Sequence, residues 1–354
     1  YMGVQVIPAD APVEGELTLF TALDAIPLTS LSQAAGYVIS AKENRGYHAA
    51  NLLLAQGFPV WRIDTCPWHD FYVEGDIKKL APIFDAAQAT VRPVEKPYPQ
   101  MTPLKPLRVA MYQRFYTGNA DEGWTRLLFD NMAYSYTTVF DADIKNGKLK
   151  DFDVLILPSD SYEMLYGLQH YADSPKYDGL MQFIGKQPPE KQSGLGDEGM
   201  NAIRSFVEQG GKLLAFNQSC DFAIEACHLK VKNLAKDLSA KEFNTHGSTL
   251  HVELDTQNPL CYGMPKEALA FHWDGPVLAV KEKFDAQQYQ AAAHYAKEDV
   301  LQSGLLTGEK LIAGTPALLQ AHCGQGEVVL YGFAPQHRCQ THGTFKLVFN
   351  ALYR

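Results

Sequence analysis

Hydrophobic positions along the chain switch between two periods, which predicts strands alternating with helices. Pro8, Pro12 and Pro27 break the opening stretch, so residues 1–30 read as an extended arm. Tyr37-Val38-Ile39 is a short apolar run, and Tyr47 to Gln56 repeats its apolar residues at helical spacing as far as Gly57. A strand at Pro59 to Ile63 and a helix at Ile77 to Ala87 complete a small α/β unit over residues 31–92. Pro93, Pro97, Pro99, Pro103 and Pro106 follow. Proline has no N–H to give to a helix or a ladder, so residues 93–106 read as an exposed linker.

The alternation resumes over residues 107–354 and predicts a mostly parallel, doubly wound sheet. Leu107 to Tyr112 reads as a strand, and Asp121 to Ala133 as a helix with Trp124, Leu127, Leu128 and Met132 on one face. Strands at Thr137 to Phe140 and Asp153 to Leu157 come next. A helix bearing Met200, Ile203, Phe206 and Val207 then stops at Gly210-Gly211 and delivers the strand Lys212 to Phe216. Beyond Leu229 the pattern becomes strands with short turns, the last at Glu327 to Gly332, closed by an amphipathic helix with Phe345, Val348, Phe349 and Leu352.

With 354 residues, 46% hydrophobic and 20% charged, the chain can bury a sizeable core in two domains. A formal charge of −9 with no basic run opposes a nucleic-acid partner. Apolar stretches such as Val154 to Pro158 fall far short of the roughly 20 residues that span a bilayer. The six cysteines contain no CxxC pair and fit neither a zinc knuckle nor a disulfide scaffold. The chain begins at Tyr1 without a signal-like segment, so any leader is expected outside it.

Several motifs carry potential chemistry. Gly194 to Gly199 matches GxGxxG but follows a polar stretch rather than a strand, so it reads as a helix start with Asp197 and Glu198 in the first turn. None of the 11 histidines begins HxxE, and His337, Cys339 and His342 lack a fourth ligand, so no metal site is expected in this chain. The run Leu213 to Ile224 passes from an apolar strand through small polar residues into a helix, the layout of a nucleophile elbow. Ser219 or Cys220 would then be the nucleophile and His337 or His342 the base. Flanking glycines are missing, however, which favours a capping turn made by Ser219 or Asp221. Ligands of doubly wound sheets sit at the strand carboxyl ends. Arg114, Tyr116, Asp121, Glu122, Trp124, Asp160, Ser161, Asp221 and Gln336 follow predicted strands and form the expected crevice with the four candidates above.

Asp121-Glu122-Gly123-Trp124-Thr125-Arg126, Asp153 to Pro158, Gly210-Gly211-Lys212-Leu213, Asn258-Pro259-Leu260 with Tyr262 to Pro265, and Pro335-Gln336-His337-Arg338 with His342 to Leu347 together resemble the region that follows the catalytic domain in bacterial zinc carboxypeptidase-like proteins. Tyr1-Met2-Gly3-Val4-Gln5 resembles the exit from that catalytic domain, so the resemblance spans essentially the whole chain. It implies a flavodoxin-like sheet similar to class I glutamine amidotransferases, acting as a non-catalytic accessory region that binds ligand, positions substrate or mediates interaction. It also implies a periplasmic or secreted protein whose zinc belongs to an upstream peptidase domain, the expected partner. A peptide or small-molecule ligand and a homo-oligomer are compatible with that reading. The alternative is an independent hydrolase or amidotransferase using Ser219 or Cys220.

Overall fold

In the computed structural model, residues 31–115, 118–171, 174–175, 178–184, 194–281 and 288–353 are described, with Ala11 and Gly15. The 1–30 arm and Tyr116 otherwise lie outside the described residues. The chain divides into two compact units, one ending at Leu104 and the other running from Lys105.

The first unit is β1 (Gly36–Ile39), α1 (Asn44–Ala55), β2 (Val60–Ile63), β3 (Phe71–Val73), α2 (Ile77–Ala87), β4 (Val91–Val94) and β5 (Met101–Pro103). Its strands lie in the order β4-β1-β3-β2-β5, and every neighbouring pair is antiparallel. The first six elements therefore follow the β-α-β-β-α-β scheme of ferredoxin-like units. The Asp76 carboxylate starts α2 by accepting from Lys78 N at 3.0 Å.

The linker expectation is corrected here. Residues 91–94 and 101–103 are the two outermost strands of this sheet, with Pro93 opposite Tyr37 and Pro103 opposite Trp61. An edge strand needs hydrogen-bonding groups on one side only, so proline can sit there with its missing N–H turned outward.

The second unit contains β6 (Val109–Tyr112), α3 (Ala120–Asn131), β7 (Thr137–Val139), α4 (Asp141–Lys145), β8 (Val154–Leu157), α5 (Tyr162–Tyr166), α6 (Asp178–Ile184), α7 (Gly196–Glu208), β9 (Lys212–Phe216) and α8 (Ser219–Ala226). It continues with β10 (Val231–Asn233), β11 (Ser248–Leu254), β12 (Glu267–His272), β13 (Leu278–Val280), β14 (Tyr289–Tyr295), β15 (Leu301–Ser303), α9 (Glu309–Ile312), β16 (Pro316–Cys323), β17 (Gly326–Tyr331) and α10 (Phe345–Phe349).

Ten of the strands form one sheet in the order β12-β11-β14-β16-β17-β9-β8-β6-β7, with β15 also on β11. From β7 to β17 every pair is parallel, and the chain order of those five strands is 2-1-3-4-5, the flavodoxin-like order. Beyond β17 every pair is antiparallel, so β11, β12, β14, β15 and β16 extend the parallel sheet, while β10 and β13 pair with each other in a separate two-stranded sheet. β6 and β8 are buried at every position, as expected of parallel strands covered on both faces. Each such side chain contributes roughly 1.5–3 kcal/mol on burial. The amphipathic α7 adds Met200, Ile203 and Val207 to that core and stops where Gly210 takes φ +107. Gly211 follows with its Cα against the Phe206 ring, leaving no room for a side chain.

The GxGxxG stretch is a helix start. Gly196 opens α7 at φ +54, with Asp197 and Glu198 in its first turn.

Candidate functional site

The strand order reverses direction between β6 and β8, which places a crevice at their carboxyl ends. The loop after β6 leads into α3. There the Asn119 side-chain oxygen accepts from Asp121 N at 3.0 Å and Glu122 N at 3.4 Å. The other end of the same amide donates across the reversal, to Ser159 O at 3.2 Å and Asp160 Oδ2 at 3.3 Å. Arg114 pairs with Asp160 Oδ2 as well, both side chains being less than a tenth exposed, and its second guanidinium nitrogen donates to Gly118 O at 2.6 Å.

Asp121 knits three strand ends together. One carboxylate oxygen accepts from Ser159 N and from Gln336 Nε2, each at 2.8 Å. The same Gln336 nitrogen donates to Thr125 Oγ1 at 2.7 Å, while its carbonyl oxygen is buried with no hydrogen-bond partner. Burial pushes the Asp121 carboxyl up to about 7, and neighbouring Asp160 adds to the rise against the two donated bonds. Burial likewise pushes Asp160 up to about 6, opposed chiefly by the Arg114 charge.

The turn after β9 differs from the sequence expectation. Asn217, not Ser219 or Cys220, is its apex, with φ +49 and its N–H donated to Tyr331 O at 2.8 Å. Asparagine is the non-glycine residue best suited to that left-handed conformation. Ala215 and Ser219 therefore flank the apex where an elbow has glycines. Its side-chain nitrogen donates to Ser159 Oγ at 3.3 Å and to Trp273 O at 2.9 Å.

Ser219 is fully buried. Its hydroxyl donates to Pro158 O at 2.5 Å and accepts from Asp160 N at 2.9 Å. The Cys220 thiol is also fully buried, 3.3 Å from Tyr331 O and 3.4 Å from Ala215 O. Burial, and then the adjacent Asp221, raise its pKa well above that of an ordinary thiol. The expected capping turn is corrected too, because Gln218 is the N-cap residue, in helical conformation, and no side chain caps α8. The reason is that Ser219 is spent on the β8 loop and Asp221 accepts from Asn233 Nδ2 at 3.1 Å.

Aromatic rings form one side of the crevice. His337, after β17, stacks on Phe271 with ring centres 4.1 Å apart, and the rings of Trp124 on α3 and Trp273 after β12 lie 4.9 and 5.5 Å away. Burial and the nearby Arg338 charge hold His337 down to about 4, so the imidazole is neutral at neutral pH. Trp273 is 40% exposed, which leaves part of this wall open to a ligand. His246 caps it from the far side, 5.0 Å from the Trp273 ring and 3.1 Å from Asp274. Phe271, Trp273 and Asn217 were not singled out from sequence. An asparagine directly after a buried strand was the available signal for the last.

The remaining expected site residues serve elsewhere. Glu122 pairs with Arg126 at 2.5 Å along α3. Ser161 caps α5 by accepting from Met164 N at 3.3 Å. His342 packs on Phe345 at 4.8 Å. Asp221 lines a different cavity, of about 480 Å³, with Lys230, Lys232, Lys236 and Lys281.

No family model and no curated protein matches the chain. Among solved structures it is similar to a cytoplasmic protein from Salmonella typhimurium, at 11% identity over 70% of this chain and 100% of that one, TM-score 0.41. It is similar also to a ThuA-like protein from Bacteroides uniformis, at 10% identity over 69% and 89%, TM-score 0.39. A glutamine amidotransferase from Thermotoga maritima matches at 11% identity over 65% and 76%, TM-score 0.34. These findings overturn the reading as a zinc carboxypeptidase-associated accessory region, since the similarities run to proteins of other kinds. The strings that suggested it are general turn and capping signals. Gly210-Gly211 ends a helix, Asn258 caps a short helical turn by accepting from Leu260 N at 2.9 Å, and Thr341 and Thr344 donate to Pro335 O at 2.8 and 2.7 Å.

Proposed function

We propose that the second unit is a glutamine amidotransferase-like domain that acts through its own crevice, and that the crevice binds a small polar molecule with a flat apolar face, such as a sugar ring. The observation that carries this reading is the half-open wall of Trp124, His337 and Trp273 at the same strand ends as the Arg114–Asp160 pair. Aromatic faces with a few convergent polar groups are the usual lining of small-molecule sites. A protein nucleophile has no part in it, because the elbow apex is an amide and Ser219 and Cys220 face inward.

A second reading, a hydrolase that activates water, is favoured by one observation. The Asp160 carboxyl is pushed up to about 6, close to where a general base works at neutral pH. One experiment tests both. Tryptophan fluorescence and calorimetry would follow titration with a panel of mono- and disaccharides and amino-acid amides, with product analysis on the same samples. Binding that is lost in Trp273→Ala supports the first reading. Turnover that is lost in Asp160→Asn while binding persists supports the second. A panel that neither binds nor is turned over counts against both.

A further inference from the structure

Cys227 closes α8 and Cys323 ends β16, 96 residues apart in sequence, yet the Cys323 sulfur lies 3.9 Å from the Cys227 carbonyl oxygen. The two thiols are near enough to influence each other's ionisation. Both are reduced, and they differ in setting: Cys227 is buried in the core of the sheet while Cys323 packs at its border, partly exposed. We infer that Cys227 and Cys323 are a peroxide-reactive pair that closes to an intramolecular disulfide joining α8 to the β16–β17 hairpin.

The settings assign the roles. Cys323 is reachable from solvent, and the neighbouring Cys227 thiol favours its thiolate, with Arg204 helping and burial and Glu208 opposing. Cys227 is held protonated by the Cys323 thiol beside it and by burial. The Cys323 thiolate attacks one oxygen of hydrogen peroxide. An S–O bond forms, the O–O bond breaks, and the departing hydroxide takes up a proton as water. The Cys227 sulfur then attacks the resulting sulfenic sulfur. An S–S bond forms, the S–O bond breaks, and hydroxide leaves with the Cys227 proton as a second water. Two thiols are oxidised by two electrons in all, and one peroxide is reduced to two waters.

This pair is independent of the proposed crevice ligand, and its test needs none. The reduced full chain is exposed to hydrogen peroxide, alkylated, and mapped by mass spectrometry without reduction. The expected result is one linked peptide pair containing Cys227 and Cys323, reversed by dithiothreitol, with the thiols counted in denaturant falling from six to four. Cys323→Ser should abolish the link. Cys227→Ser should leave Cys323 as a sulfenic acid that dimedone captures. Cys66 and Cys339 are also partly exposed and serve as internal references, because neither has a thiol partner. Oxidation of Cys66 or Cys339 ahead of Cys323, or peroxide treatment that leaves no Cys227–Cys323 link, would overturn the inference.

Discussion

Gln336 and Asp121, 215 residues apart, meet through a 2.8 Å hydrogen bond that fastens the end of β17 to the start of α3. Because the carboxyl accepts that bond in a buried place, its protonation is tied to folding.

Asp121 keeps its proton in the folded chain up to about pH 7, whereas the unfolded chain releases it near 3.8. Between those values the folded state binds more protons, so this group makes stability fall as pH rises. Asp121→Asn should remove that slope and gain on the wild type by on the order of 2–4 kcal/mol between pH 4 and 7.5. His272 and His337, both held down to about 4, push stability the other way as pH rises to 6.5, so the difference between the two proteins is the quantity to read. Urea unfolding at both pH values measures it. A difference that does not vary with pH would show that Asp121 is ionised throughout.

The left-handed Asn217 makes a second test. Glycine at 217 loses the two side-chain hydrogen bonds but suits φ +49, whereas alanine loses the bonds and is strained there as well. Asn217→Ala should therefore be less stable than Asn217→Gly by about 1–2 kcal/mol in denaturant titrations. The opposite order would move the apex of the turn away from residue 217.

Arg114 and Asp160 are both nearly enclosed, so removing one strands the other charge. Arg114→Ala should cost about 3–5 kcal/mol. The combination of Arg114→Leu with Asp160→Asn should cost clearly less than the two single changes added together. Additive losses in a double-mutant cycle would mean that the groups are not coupled.

Cys220 should resist iodoacetamide in the native protein and react only as fast as the chain opens, because its thiol is fully buried and held protonated. Alkylation followed site by site by mass spectrometry gives the rate. Rapid native labelling of Cys220 would restore it as a candidate nucleophile.

Much of the sheet was legible where one local signal dominates. The boundaries of α2 and β9 agree with the sequence reading residue for residue, since one begins after a capping aspartate and the other follows Gly210-Gly211. The crevice members Arg114, Asp121, Asp160 and Gln336 could be placed together because a single rule about strand ends covers them all. Proline content misled at 93–106, because which strands lie outermost depends on the order of the whole sheet and not on local sequence. Phe271 and Trp273 were out of reach for the same reason. They come from β12 and the residue just after it, at the far margin of the antiparallel extension, and nothing nearby in sequence announces that His337 will stack there. The elbow was misread by counting from the reactive side chains Ser219 and Cys220, when the backbone geometry belonged to the unreactive Asn217.

β17 has four strands on either side along the sheet, pairs parallel with β9 and antiparallel with β16, and follows all of them in chain order. During synthesis the middle strand therefore leaves the ribosome after the eight that flank it. Until residue 331 has emerged, the strands from β6 to β9 and those from β11 to β16 have no common member and present unpaired edges. A nascent chain stalled before residue 326 would hold two half-sheets in need of a chaperone. Emergence of β17 would join the two.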